Sequence, residues 1–471
     1  MQMVRATDDT FCILVLGDFL GTGSASAEVG GVDWSPLRAT PDTVLKLAGL
    51  RPRIRVTLGD DAGIEEKAEF STLEDFHPAA LFRRLSVFEP FREARETAKG
   101  AGSGPGMPTE DSEVGRLSAD RGDGSLLDAI LDVSAGPGES PPLRTPEDLK
   151  AYVRDIVRPY LVSDDSQVTS RIAAVDEVSS LHLSRLLHDE TFQRLEGTWR
   201  SLVFLLSRVD TTGRVRVYFA HLPRAALEEE MDRSPDPETS RLFRLLSSPD
   251  LPARGKRWGL VVGAYGFGFS PREIHLLGRI ARVARAADLP WISAMELPEE
   301  GLSPPDGRSD GGDEAWAEPP GEWMELRARP EAEWLGLTFP RFLLREPYGE
   351  RPKRKKELDF REKTDSWEDL LWGHGPFLVA SLMAQGFVAE GWDFTAERHL
   401  ESGGMPLGAP GNEEGGRPRS VRTPLTPDGA RRAMDMGVMP LLGFPARAGV
   451  RLGGFHSISG RGVGPSSWWR R

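Results

Sequence analysis

Apolar residues are distributed along this chain in two ways. Some form short unbroken blocks, as in Phe11-Cys-Ile-Leu-Val-Leu; others recur every three or four positions over longer stretches. The first pattern predicts strands buried on both faces, and the second predicts helices with one face on a core. The most informative stretch contains both. Trp258-Gly-Leu-Val-Val-Gly-Ala-Tyr-Gly-Phe-Gly-Phe-Ser-Pro-Arg-Glu-Ile-His-Leu-Leu reads as a buried strand, a glycine turn and a helix continuing to Ala287. Ser270 caps that helix, Pro271 suits its first position, and Glu273 completes a capping box.

Further strands are predicted at 54–58, 215–221, 291–294, 438–444 and 450–458. Helices are predicted at 41–50, 76–98, 166–187, 191–207, 224–231, 238–246, 323–329, 366–386 and 427–436. Asp75 or His77 falls near the start of the second of these, with Pro78 in its first turn. The segment from Trp334 to Arg345 is too interrupted for a long helix. Strands alternating with helices predict an α/β fold: a mainly parallel sheet flanked by helices, with a small N-terminal α/β unit joined by a linker. No repeat of 20–50 residues emerges, which disfavours a solenoid or propeller.

Composition sharpens this layout. At 471 residues the chain is too long for one ordinary core. From Lys99 to about Ser140 Gly, Ser, Pro and acidic residues dominate, and the stretch reads as a flexible tether with a random-coil reach of about 35 Å. The organisation is therefore a first unit at 1–98, a linker at 99–145, and a second unit at 146–471, opening with Glu147 and Asp148 in a helical turn. Polar insertions are expected at 298–320 and 401–419. The single Cys12 excludes an intrachain disulfide and fits a reducing compartment, the cytoplasm. No apolar run approaches the roughly 20 residues of a membrane span, and Asp8 and Asp9 precede the first apolar block, the wrong order for a secretory signal. A net charge of −13 argues against a nucleic-acid partner. The one dense basic run, with Arg351, Lys353, Arg354, Lys355 and Lys356, reads as a solvated loop or as a docking patch for an acidic neighbour.

Candidate chemistry is sparse. Gly17, Gly21 and Gly23 follow the first strand, and Gly263, Gly266 and Gly268 follow the later one. Neither cluster has the Gly-Lys-Ser/Thr ending or the Gly-x-Gly-x-x-Gly spacing of a phosphate cradle, so both read as strand-ending turns and Asp18 as a turn carboxylate. His182 and His188 are six apart and do not share a helical face, so no zinc set forms with one cysteine available. There is no Gly-x-Ser-x-Gly elbow, and alternation sets His456 apart from Ser457 and Ser459. Glu65 and Glu66 read as a solvated face. Trp199, Trp258, Trp291, Trp372 and Trp392 read as core. The residues indicate no catalytic, cofactor-binding or metal site.

Read together, the segments resemble the contractile-sheath proteins of type VI secretion systems. The block from Trp258 to Ala294 resembles the strand–turn–helix–strand of their large subunit. Phe192-Gln-Arg-Leu-Glu-Gly-Thr-Trp-Arg-Ser-Leu is similar to its Leu-Glu-x-x-Trp-Arg-Gly-Leu helix. Leu335-Gly-Leu-Thr-Phe-Pro-Arg-Phe-Leu-Leu-Arg-Glu-Pro-Tyr-Gly, Leu371-Trp-Gly-His-Gly-Pro-Phe-Leu and Met436-Gly-Val-Met-Pro-Leu follow in the family's order. In the first unit, Leu14-Val-Leu-Gly-Asp-Phe-Leu-Gly and Phe70-Ser-Thr-Leu-Glu-Asp-Phe-His-Pro resemble motifs of the small subunit. The chain thus looks like a fusion of the two, without a recognisable long extension ahead of the large-subunit part.

The resemblance implies a sheath-type core and a structural role, polymerising around an inner tube and contracting to drive effector delivery. It implies other sheath subunits, an inner-tube protein and baseplate components as partners, with a recycling AAA+ unfoldase as a further one. A strand with Val450, Leu452, Phe455 and Ser457 is the candidate inter-subunit joint by β-augmentation, with 53–58 as a second. Glycine-to-aspartate changes in the 450–458 arm are then expected to spare the fold. Two other readings stand beside this one: a sheath-derived baseplate or adaptor scaffold, and an α/β nucleotide-binding enzyme.

Overall fold

The computed structural model describes residues 10–23, 33–58, 64–100, 151, 165–248, 258–297, 319–349, 359–394, 398–411, 417–444 and 447–459. In chain order the first part supplies strands β1 (Phe11–Gly17) and β2 (Leu37–Ala39), helix α1 (Pro41–Leu45), strands β3 (Arg53–Leu58) and β4 (Ile64–Glu69), and helices α2 (Pro78–Arg84) and α3 (Glu89–Gly100). The remainder opens with helices α4 (Asp165–Leu187) and α5 (Glu190–Arg208), strand β5 (Val215–His221), and helices α6 (Arg224–Arg233) and α7 (Arg241–Ser247). Strand β6 (Trp258–Phe267), helix α8 (Pro271–Ala286), strand β7 (Trp291–Met295) and helix α9 (Gly321–Ala328) come next. Strands β8 (Leu335–Phe339), β9 (Phe342–Leu343) and β10 (Trp372–Gly373) precede helix α10 (Gly375–Glu390). The last elements are β11 (Glu401–Gly403), helix α11 (Pro427–Asp435), β12 (Val438–Phe444) and β13 (Arg447–Leu452).

Nine strands form one sheet in the order β11-β13-β12-β8-β7-β6-β1-β5-β2. The run from β5 to β12 is parallel throughout, and β2, β13 and β11 close the two ends in antiparallel pairings. β3 and β4 form a separate antiparallel ribbon, as do β9 and β10. The first apolar block, expected in a small N-terminal α/β unit, therefore pairs in the large sheet. β1 lies at the middle of the large sheet, between β5 and β6.

That position explains why its seven residues carry no polar alternation. Phe11, Ile13 and Val15 enter a core with Trp199, Leu202 and Leu205 of α5 and Phe377 to Phe387 of α10. Cys12, Leu14 and Leu16 enter the opposite core with Leu227 and Met231 of α6 and Leu277, Ile280 and Ala281 of α8. A strand covered on both faces must be apolar at every position. α10 follows the same rule: Gly375 through Ala384 are all buried.

Several expectations are met and several are corrected. Ser270 caps α8 with Pro271 in the first turn, its hydroxyl accepting from Glu273 N and donating to Glu273 Oε2 at 2.7 Å. His77 caps α2, its Nδ1 accepting from Ala79 N at 3.2 Å. The helix expected over 76–98 is two helices with a break at Leu85, because Glu66 accepts from Ser86 N and Val87 N, both at 3.0 Å. Glu66 therefore belongs to a strand, β4, that pairs with β3, and its carboxylate is a distant cap rather than a solvated one. The helix expected from 366 begins only at Gly375; Pro376 suits its first turn, and Trp372–Gly373 pairs with Phe342–Leu343 instead. Gly263 and Gly266 lie inside β6, not in a turn. A Cβ at Gly263 would stand 2.3 Å from Ser293 Oγ, so bare backbone there makes room for the neighbouring strand's side chain. The linker expected at 99–145 starts two residues late, since Lys99 and Gly100 end α3; its remainder and the opening turn at Glu147 and Asp148 lie outside the described residues, as does most of the 298–320 insertion. Part of the 401–419 insertion is ordered into β11 and a bridge between Gly408 and Arg419.

Candidate functional site

The residues expected to form an inter-subunit strand are placed, but not on an open edge. Val450 lies opposite Gly443 of β12 on one side and Ser402 of β11 on the other. Val450, Leu452, Phe455 and Ser457 are all buried. The strand also ends at Leu452 rather than continuing to 458, because Gly453 turns onto β12, its N donating to Pro440 O at 2.7 Å. A Cβ at Gly453 would stand 2.7 Å from Pro440 Cγ, so aspartate there collides within the fold, contrary to expectation. Beyond the turn, Ile458 N donates to Leu335 O at 2.9 Å and Arg327 Nε donates to Ile458 O at 2.7 Å, tying the end of the described chain to β8 and α9. His456 Nδ1 faces the Ser457 carbonyl at 3.0 Å while the Ser457 and Ser459 hydroxyls pair at 2.9 Å. The outer edge at β11 is blunted as well: Arg208 of α5 donates to the carbonyls of Gly403 and Gly404, at 2.6 and 3.1 Å. Arg351, Lys353, Arg354, Lys355 and Lys356 lie outside the described residues.

What the fold does bring together is a buried ion network that was not anticipated. Glu196 on α5 is 0% exposed and accepts from Arg200 Nε at 2.5 Å and Arg345 Nε at 3.4 Å. Arg345 makes a two-pronged pair with Glu362, at 2.7 and 3.2 Å, and its guanidinium stacks over the Tyr348 ring at 4.1 Å. Tyr348 closes the circuit, its N donating to Glu362 Oε2 at 2.8 Å and its hydroxyl accepting from Arg200 Nη2 at 2.9 Å. At the α4–α5 corner, His188 Nε2 is 3.4 Å from Glu362 and its Nδ1 is 3.3 Å from Asp369. Fork-to-fork pairing of this kind is what allows ions to remain inside a core.

The electrostatics follow from the geometry. Burial alone would push the Glu362 carboxyl up, but the Arg345 charge, bonds from His188 and Arg345, and the Tyr348 amide hold it down at about 2. Burial and then the Glu196 charge push the Tyr348 phenol up to about 12. Burial would weaken the Arg345 cation, yet Glu196 and Glu362 outweigh it, and it stays firmly charged. One sequence signal was available for this network: charged residues embedded in apolar motif runs must find buried partners.

The glycine turn after β1 is filled by its own side chain. Asp18 Oδ1 accepts from Leu20 N, Gly21 N and Thr22 N at 2.8–3.2 Å, and Oδ2 accepts from Gly23 N at 2.8 Å. Gly21 has φ +73, and a Cβ there would stand 2.6 Å from Ile54 Cγ2. A nest of amides is an anion site by nature, and here the anion is the Asp18 carboxylate. Asp18 is thus a turn carboxylate, as expected. Phe19 N donates to His221 Nδ1 at 3.2 Å and Trp199 Nε1 donates to Phe19 O at 3.1 Å, which pins the turn to β5 and α5.

The segments that meet in this core carry a family signature. Residues 169–413, more than half of the chain, match the family described as VipB: EvpB/VC_A0108, tail sheath N-terminal domain. The chain is also similar to the type VI secretion system sheath protein TssC1 of Pseudomonas aeruginosa, with 28% identity over 298 residues, covering 60% of each chain. The matched part thus spans about three-fifths of that relative's length. Within the match lie Glu196, Arg200, Arg345, Tyr348 and Glu362, the residues of the buried network. The chain belongs to the EvpB/VC_A0108 tail-sheath family.

Proposed function

We propose that this chain is a structural subunit of a contractile type VI secretion sheath, polymerising with further copies around an inner tube in the cytoplasm. Its output is movement, produced by exchanging one set of neighbour contacts for another, and no catalysis is required. The observation that carries this reading is the sheath-family match over residues 169–413, which supply β5, β6, β7, β8 and β11 of the large sheet. Among the described residues no helix is long and apolar enough to cross a membrane. Baseplate components and a recycling AAA+ unfoldase are the further partners this role calls for. We assign residues 1–98 to a small-subunit-like part and 146–471 to the large-subunit part. Mixing the purified protein with an inner-tube protein and pelleting at high speed tests the reading: co-pelleting is expected, and an inner tube left wholly in the supernatant contradicts it.

For the joint between subunits, the β11–β13 corner remains the candidate. β11 covers only three of the six residues of β13. A strand from a second copy that displaced β11 would pair over a longer span beside Val450 and Leu452, with Phe455 and Ser457 following in the adjoining turn. The basic run at Arg351, Lys353, Arg354, Lys355 and Lys356 is assigned to attraction between acidic subunits. Deleting it is expected to weaken assembly at low salt and to have little effect at 0.5 M salt, since exposed charges are screened beyond a few ångströms there. Light scattering across a salt series reads this out, and an unchanged salt response removes the run from the account.

A further inference from the structure

We propose that two exposed apolar corners on opposite sides of the large sheet are the matching halves of one contact between copies of this chain. The first corner is formed by Leu37 of β2 and Leu45 of α1, the second by Met324 of α9. The inference rests on the reading that copies polymerise, and it names surfaces by which one copy meets the next.

Among the described residues four large apolar side chains stay well exposed: Leu37 at 38%, Leu45 at 52%, Met324 at 49% and Val388 at 48%. Val388, on α10, takes no part here. Leu37 and Leu45 share a corner. Leu37 and Ala39 point to the same face of β2, and Ala39 is buried there with Val44 and Leu47. Leu37 is thus the uncovered end of a face that α1 otherwise closes. Thr40 turns the chain directly from β2 into α1, with Thr43 Oγ1 donating to Arg38 O at 3.1 Å. The helix expected over 41–50 stops at Leu45, and beyond it Leu47 and Ala48 take left-handed φ values of 44° and 50°. That turn sends Leu47 into the core and leaves Leu45 and Lys46 exposed at the corner.

Charge decides what these corners fit. Arg38 and Lys46 flank the two leucines, are exposed, and make no ion pair among the described residues; Arg38 donates only to Thr211 O, at 3.4 Å. Glu322 and Glu325 flank Met324 on α9, and they too are exposed and without an ion pair among the described residues. Each rim also carries one charge of the other sign, Asp42 on α1 and Arg329 just past α9, and these match as well. An apolar centre inside a rim of complementary charge is the composition of a specific interface. The two corners do not meet within one molecule. β2 ends the sheet beside β5, whereas α9 is fixed near β12, Trp323 Nε1 donating to Met436 O at 3.1 Å. From β2 to β8 alone is about 24 Å at the usual strand spacing, and α1 and α9 pack into cores on opposite faces of the sheet. A contact between two different surfaces is heterologous, so it extends from copy to copy as a polymer requires.

The test is sedimentation velocity of the full chain over a concentration series at low salt. Leu45→Asp removes the apolar contact and sets a like charge against Glu322 and Glu325, so self-association is expected to weaken about a hundredfold. Lys46→Glu and Glu325→Lys are each expected to weaken it about tenfold. The double variant K46E/E325K is expected to regain most of the parental affinity, because the pair returns with its signs exchanged. All three positions are exposed, so melting temperatures are expected to match the parent's. Parental association in L45D and K46E overturns the proposal. A loss in K46E with none in E325K, or no recovery in the double variant, overturns it too, since α9 is then not what the first corner meets. A parent that associates but ignores these changes leaves the sheath reading without this contact. Association that responds to them yet builds no hollow tubes leaves this contact without the sheath reading, and a parent solitary at every concentration contradicts both.

Discussion

Replacing Arg345 by alanine is expected to destabilise the protein by about 3–5 kcal/mol, the usual cost of leaving a buried charge without its partner. The change strands Glu362, whose carboxylate is almost completely enclosed, and removes one of the two cations on Glu196. It also takes away the guanidinium stacked on Tyr348. Arg345→Lys keeps the charge but not the planar fork, so an intermediate loss is expected. Urea denaturation of the two variants beside the parent decides the matter. A loss below 1 kcal/mol for R345A contradicts a network that holds α5 to the 345–362 segment. Combining R345A with Glu362→Gln is expected to cost less than the two single changes added together, because the second change removes the stranded charge.

The second large effect is acid sensitivity beginning near neutral pH. His182 is 1% exposed, and burial, then the nearby Arg185, lower its pKa to about 4. Burial, followed by Arg341, lowers that of His374 to about 3. Once unfolded, both histidines take up protons near the ordinary 6.5. Between these values the unfolded chain binds more protons than the folded one, so stability falls as pH falls. Glu362 acts with the same sign in a lower window, from its ordinary value of 4.5 down to about 2, because its charged form is the one the fold holds. The protein is therefore expected to be fully stable above about pH 7 and to lose stability progressively below 6.5, His182 alone contributing about 3 kcal/mol by pH 4. Melting temperatures across pH 4–8 measure this. His182→Phe, which fills a similar volume beside Phe91 without titrating, is expected to flatten the upper part of the curve. Equal slopes for variant and parent contradict the assignment.

How much of this was legible in the sequence depended on whether the deciding contact was local. The strand at 215–221 and the capped helix after Ser270 announce themselves through apolar runs and neighbouring caps. The same is true of the strand at 438–444. The break at Leu85 does not, because its cause is Glu66, a carboxylate on another strand. The late start of α10 is missed for a related reason: the pairing of Trp372 with Leu343 competes with the helix pattern of the same residues. β1 reads correctly as a buried strand, but nothing local says that its neighbours are β5 and β6 rather than strands of its own part. The expected joint at 450–458 suffers most. Alternating apolar residues do not distinguish a strand with a free edge from one paired on both sides, and the Pro440 contact that turns the chain at Gly453 lies on a different strand. The ion network shares that difficulty, since Glu196, Arg345 and Glu362 meet only in the folded chain.

In the proposed sheath role, neighbour contacts are the working parts of this molecule. Negative-stain electron microscopy of the purified full chain over a concentration series measures that directly. Regular hollow tubes above a threshold concentration are the expected result; solitary particles at every concentration, with and without an inner-tube protein, contradict it.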